Sequence, residues 1–136
     1  MTYAKQDRAK HDDVPGPGNG FINVFDTSGN FLRRLVSNGN LNAPWGLALV
    51  EDELWVGNFR SGWIAAFNGF THKFIGFLKN PDDSLVFIDG IWSLTFGNDG
   101  AAGSANTLFF SAGINNENDG LFGTLTPVDG LDGDEE

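Results

Sequence analysis

A chain of 136 residues is about one domain long, and 18 acidic against 8 basic residues leave it with a net charge of -10. That charge repels nucleic acid and anionic membranes, so neither is expected as a partner. Cysteine is absent, which excludes disulfides, thiolate catalysis and Cys-ligated zinc, and no apolar run approaches the ~20 residues a membrane-spanning helix needs.

The 19 Gly, 13 Phe and 4 Trp favour short strands with many turns over a helical bundle. The opening MTYAKQDRAKHDD has no apolar stretch of the kind that marks a secretion signal. A first strand is expected at Thr2 to Lys5, followed by a polar loop from Asp7 to Asn19. Gly20 to Asp26 reads as the next strand, Asp26 to Asn30 as a turn, and Phe31 to Leu35 as a third strand. A loop from Ser37 to Ala43 leads to Pro44-Trp45-Gly46. Three apolar runs follow: Leu47 to Val50, Leu54 to Val56 and Ile64 to Phe67. Glu51-Asp52 and Asn58 to Gly62 break them. Runs this short with breaks this tight describe an antiparallel meander, which Phe74 to Leu78 completes. After the loop Lys79 to Gly90 come strands at Ile91 to Phe96, Thr107 to Ser111 and Gly120 to Leu125. Gly97 to Asn106 reads as a flexible surface insertion. The acidic segment 129–136 reads as a solvated tail standing where a last strand would come.

The runs repeat. Gly20-Phe21-Ile22-Asn23-Val24-Phe25-Asp26 aligns with Gly62-Trp63-Ile64-Ala65-Ala66-Phe67-Asn68, from Gly20 to Gly62 an offset of 42. Trp45 and Leu47 align with Trp92 and Leu94 at an offset of 47. Leu54 aligns with Leu108. With the four strands of one unit named a, b, c and d, the chain reads b-c-d, a-b-c-d, a-b-c. Units of about 40 to 45 residues, each a four-stranded meander, are the signature of a β-propeller. A two-sheet sandwich of ten strands would need no such repetition. The fold class is therefore all-β, a partial propeller of two and a half to three blades over residues 1–128. Propellers typically close with about 4–8 blades. The chain is thus expected either to be the C-terminal portion of a longer protein or to self-associate through open blade faces. Two copies would make a six-bladed ring.

The segments from Tyr3 to Leu35, NAPWGLALVEDELWVGNF and ANTLFFSAGINNENDGLFGTLTPV resemble the C-terminal part of an uncharacterised bacterial β-propeller family. More loosely, P-W-G-L-A followed by L-W-V-G-N is similar to NHL repeats and to six-bladed gluconolactonase-like propellers. The resemblance implies a propeller and an exported parent protein, and no known activity. Gluconolactonase-like propellers hold a divalent metal near the axis with Glu, Asn and Asp. Asn58, at the end of a strand b, and Asp89, before a strand a, are the positions here that match such a role.

In a meander the b–c and d–a loops emerge on one side, and convergent polar loops on a rigid scaffold are the default binding site. His11, Asp12 and Asp13 in the first b–c loop, with Arg60 in the second, are the candidates on this face. A His beside carboxylates can hold a cation or serve as a base, although a charged surface loop is the simpler reading. Asn115 and Asp119 belong to Asn115-Asn116-Glu117-Asn118-Asp119-Gly120, which partly matches the start of a calcium-binding loop. Its twelfth position is Thr126 rather than Glu, so a plain b–c turn is the simpler reading here too. Calcium is the one cofactor these loops suggest, and none is assigned. The four tryptophans read as inter-blade packing rather than a carbohydrate platform. No nucleophile elbow, phosphate loop or HExxH motif occurs. The function expected is a non-catalytic binding or scaffold module acting through the b–c and d–a loop face. A fragment of a metal-dependent lactonase-like hydrolase is the alternative, and a remnant without independent function is a third reading.

Overall fold

The computed structural model describes residues 1–128. The acidic tail expected at 129–136 lies outside the described residues. Among the described residues, ten strands form three antiparallel sheets in chain order, the arrangement of a partial β-propeller. The first sheet holds β1 (Thr2–Tyr3), β2 (Phe21–Phe25) and β3 (Phe31–Ser37). The central sheet holds β4 (Pro44–Val50), β5 (Glu53–Asn58), β6 (Ile64–Asn68) and β7 (Phe74–Phe77). The third holds β8 (Ile91–Phe96), β9 (Leu108–Gly113) and β10 (Asp119–Leu125). Strands pair only with their neighbours in sequence, so the b-c-d, a-b-c-d, a-b-c reading describes each sheet strand for strand.

The central sheet is covered on both faces, and its sequence alternates accordingly. Leu47, Leu54, Val56, Ala65 and Phe67 turn toward the first sheet and pack with Ile22 and Leu41. Ala48, Trp55 and Ile64 turn toward the third and meet Ile91, Leu94, Leu108, Phe110 and Ala112. Side chains of one strand alternate between the faces of its sheet, so an apolar run with no polar face is what a sheet held between two others requires. Burying each of the fully covered side chains Ile22, Leu41, Ile64, Ile91 and Leu108 removes apolar surface worth about 1.5–3 kcal/mol. Val86 and Ile88, from the loop between the central and third sheets, close the second core.

Irregularities recur with the repeat. β4 has a bulge between Pro44 and Leu47, and β8 has one between Ile91 and Leu94, the aligned positions. The c–d pairing shifts between Val24 and Phe25 and again between Ala66 and Phe67. The residue before strand a adopts positive φ in both units, 51° at Ala43 and 62° at Gly90. The two bulges face each other across the second core. A Cβ on Gly46 would run into the carbonyl of Trp92 and stand 2.9 Å from the Leu94 nitrogen. The innermost strands thus meet backbone to backbone, which only a residue without a side chain permits.

Two expectations are corrected. Gly97 to Asn106 is a built loop rather than a loose one. Asn98 Oδ1 accepts from the Gly100 and Ala102 amides, Asp99 Oδ1 accepts from Ala105, and Gly103 lies against Phe109. The tryptophans divide their roles. Trp55 packs edge-on against Phe96 of the third sheet, 5.6 Å between centroids, and so does span two sheets. Trp63 packs on Phe77 of its own sheet, Trp92 lies over Gly113, and Trp45 is 57% exposed.

Gly46→Ala is expected to lower stability by about 1–3 kcal/mol through this backbone clash. Gly76→Ala, in β7 with nothing within 4 Å of the new methyl, should be neutral or slightly stabilising. Urea midpoints of the two variants check the contrast.

Candidate functional site

The loops between strands b and c and between sheets interlace on one side of the stack. In the central unit the Phe59 amide donates to the Ala43 carbonyl at 2.9 Å. In the third, the aligned Gly113 amide donates to Gly90 at 2.9 Å. Each bond ties the end of strand b to the residue that enters strand a, which the positive φ of Ala43 and Gly90 turns outward. Further backbone bonds run between loops. Arg60 donates to Asn42, Ile88 to Gly62, Gly18 to Leu41 and Ala43 to Asn19.

Asn58 sits at the centre of this weave with no exposed surface. Its Oδ1 accepts from the Asn42 amide at 2.9 Å, and its Nδ2 donates to the carbonyls of Val56 and Trp63. Both ends of its side-chain amide are spent on backbone, so Asn58 is a structural clasp. It does not join Asp89, Asn115 and Asp119 as a metal ligand. Those three do come together on the third sheet. Asp89 Oδ2 accepts from the Asn115 amide at 3.1 Å, and Asn115 Nδ2 donates to Asp119 Oδ2 at 3.0 Å. They surround the short helical turn Ile114–Glu117, in which Asn115, Asn116 and Glu117 have φ of 54°, 54° and 64°. The turn is wound left-handed, a conformation Asn tolerates better than most residues. Among the described residues, no three His, Asp or Glu side chains stand close enough together to hold a metal.

Arg60 is the electrostatic centre of the face. Its Nε and Nη2 take both oxygens of Asp13, at 2.6 and 2.9 Å, joining the first and second b–c loops in a bidentate pair. The Asp13 hydrogen bond raises the Arg60 pKa above its ordinary value. The charge of Asp13 adds to this, and the charges of Glu117 and Asp12 contribute from farther away. Carboxylates from the first and third b–c loops therefore both act on a guanidinium in the second. His11 and Asp12 pair with each other at 3.1 Å and are 82% and 70% exposed, free of the weave.

Asn42 escaped the sequence reading although it does much of the fastening. Besides receiving Arg60 and meeting Asn58, it accepts from the Gly16 amide at 2.9 Å. The signal was present, because Asn42 aligns with Asp89 at the offset of 47 that relates Trp45 to Trp92. In each unit this position fastens a b–c loop. Among the other loop carboxylates, Asp82 accepts from the hydroxyl and amide of Ser84, which hold its pKa below the ordinary value. On the opposite side, Asp26 accepts from the side chain and amide of Asn30 and from Ser28, and its pKa is likewise lowered, chiefly by Asn30.

No family model matches the chain, and no solved structure matches it. It is similar to three curated proteins of Acanthamoeba polyphaga mimivirus. Uncharacterized protein R648 is 33% identical over 135 residues, which are 92% of this chain and 32% of that protein. Uncharacterized protein L690 is 34% identical over 121 residues, 82% of this chain and 30% of that protein. Uncharacterized protein R640 is 28% identical over 125 residues, 86% of this chain and 23% of that protein. The chain thus spans a third or less of the relatives it matches. These findings overturn the resemblance to a bacterial propeller family. The similarity leads to mimivirus proteins, and no NHL or gluconolactonase-like family accompanies it.

Two outcomes follow from the geometry. Asn58→Ala takes the acceptor from the part-buried Asn42 amide and empties a fully buried site, and a loss of about 1–3 kcal/mol is expected, read as a lower urea midpoint. Asp26 has a depressed folded-state pKa, so its contribution is present above the unfolded value of 3.8 and fades as pH falls through the folded value. Asp26→Asn should therefore flatten the acid limb of the stability profile below about pH 4, measured as urea midpoint against pH.

Proposed function

We propose that the chain is a non-catalytic binding or scaffold module that meets its partner with the interlaced b–c and d–a loops. What supports this most is the way the loops are held. Backbone hydrogen bonds between loops, the Asn58 clasp and the Arg60–Asp13 pair fix loops of three sheets into one surface. A surface ordered in advance loses less entropy when a partner docks than a set of independent loops would. The three sheets behind it act as the frame, and the loops carry the recognition.

The chemistry of the face sets the kind of partner. Arg60 is committed to Asp13, and against Arg8, Lys10 and Lys79 on the same loops stand Asp7, Asp12, Asp82, Asp83, Asp89, Glu117 and Asp119. With the chain at -10 overall, a cationic segment of a protein is the complementary ligand. The metal-dependent hydrolase reading rested on the acidic loops and a loose repeat similarity, with Asn58 and Asp89 as its candidate ligands near the axis. Asn58 is fully occupied by backbone, so the binding reading is the better supported of the two.

Amide shifts in an NMR titration with a deca-lysine peptide provide the test. Shifts confined to 7–19, 37–43, 58–62, 79–90 and 113–119 are expected, weakening with salt. Asp12→Asn and Glu117→Gln should each loosen binding roughly twofold to threefold, as exposed charges do. Shifts centred on the opposite turns at 51–52 and 69–73 would refute the proposal. A parallel titration with calcium alone that moved Asp89, Asn115 and Asp119 would favour the metal reading.

A further inference from the structure

Among the described residues, the two end sheets each bury one face and leave the other open. On the third sheet the open face carries Thr95, Phe109 and Phe122. Cross-strand register places Thr95 beside Phe109, the two Phe rings stack at 6.0 Å, and Phe122 is 72% exposed. Ser93, Thr95, Ala102, Phe109, Phe110 and Phe122 line a shallow groove of about 380 Å³ there. The internal repeat identifies these positions. Thr95 aligns with Ala48, Phe109 with Trp55 and Phe122 with Ile64. Ala48, Trp55 and Ile64 are the residues with which the central sheet seats the third sheet. The open face is thus the repeat of a working sheet-to-sheet contact.

The same holds at the other end with the opposite polarity. Phe25 and its cross-strand partner Phe31 lie on the open face of the first sheet, edge to face at 5.8 Å. Phe25 aligns with Phe67, which the central sheet turns back onto the first. Arg34 lies over Phe21 on this face, 3.7 Å from the ring centroid, and donates to Asn23.

We infer that the open face of the third sheet receives the open face of the first sheet of a second copy of this chain. The contact continues the forward-to-backward packing that the chain already makes twice. Within the molecule, residues at these positions bury one sheet on the next, and the two open faces are the halves of one such interface. The contact is head-to-tail, so two copies that close on each other make it twice, in a ring of six sheets, whereas a rotation that does not close gives an open filament. Aromatic anchors near the centre of such a contact carry most of its energy, which places Phe122 on one side and Phe31 on the other.

Sedimentation velocity of the full chain at about 10–100 µM tests this, with affinities in this range typical of modest interfaces. A two-chain species is expected. Phe122→Asp and Phe31→Asp should each shift it to the one-chain mass, with urea midpoints near that of the parent chain. Phe70→Asp, at an equally exposed Phe in the c–d turn, should leave it unchanged. Mixing Phe122→Asp with Phe31→Asp should restore part of the two-chain species, because each mixed pair regains one intact contact. A one-chain mass for the parent overturns the inference. So does a two-chain species that survives Phe31→Asp, which would mean that third sheets pair with each other.

Discussion

A sheet with a neighbour on each side has no polar face, and the rest of the molecule follows from that constraint. The central sheet directs Leu54, Val56 and Phe67 one way and Trp55 and Ile64 the other. A strand with period-two polarity would have placed charge in one of the two cores. Once both faces are committed, polar groups can gather only at the ends of the strands. For the central sheet the loops become the surface where Asn, Asp and Arg can collect, and one end of the stack becomes the place for recognition.

At that end, the order of the surface comes from backbone as much as from side chains. The Ala43–Phe59 and Gly90–Gly113 bonds are the same bond made twice, each beside a residue of positive φ that enters strand a. Asn58 and Asn42 extend this tie between loops, and Arg60 adds the link to Asp13. Short polar side chains suit the task, because they satisfy buried amides without filling much space. The same residue types that suggest a ligand site in a sequence are therefore partly consumed in building it.

The strands and their grouping were legible because repeated apolar runs at fixed offsets report on packing, and packing dictates which residues are apolar. Pro44 to Asn68 shows this best, since all three of its runs became strands of one sheet. The loops were legible only in outline. Whether Asn58 faces a ligand or a backbone amide depends on where residue 42 lies, and that is a matter of three-dimensional approach. The left-handed turn at 115–117 left no mark either, because Asn-Asn-Glu also suits ordinary turns. The insertion at 97–106 looked loose for its glycine content. It is held instead by Asn98 and Asp99 accepting its own amides. Family resemblance misled where repeat arithmetic did not, since a meander of short apolar runs is a pattern that unrelated proteins share.

The double coverage of the central sheet also bears on how the molecule opens. Each sheet touches only its neighbours, so the stack behaves as a one-dimensional array of three units and two couplings. In a chain on its own, either end unit can detach by giving up one coupling, whereas the middle one must give up both. The amides of β5 and β6 are accordingly the last to exchange with solvent, and local opening begins from the ends.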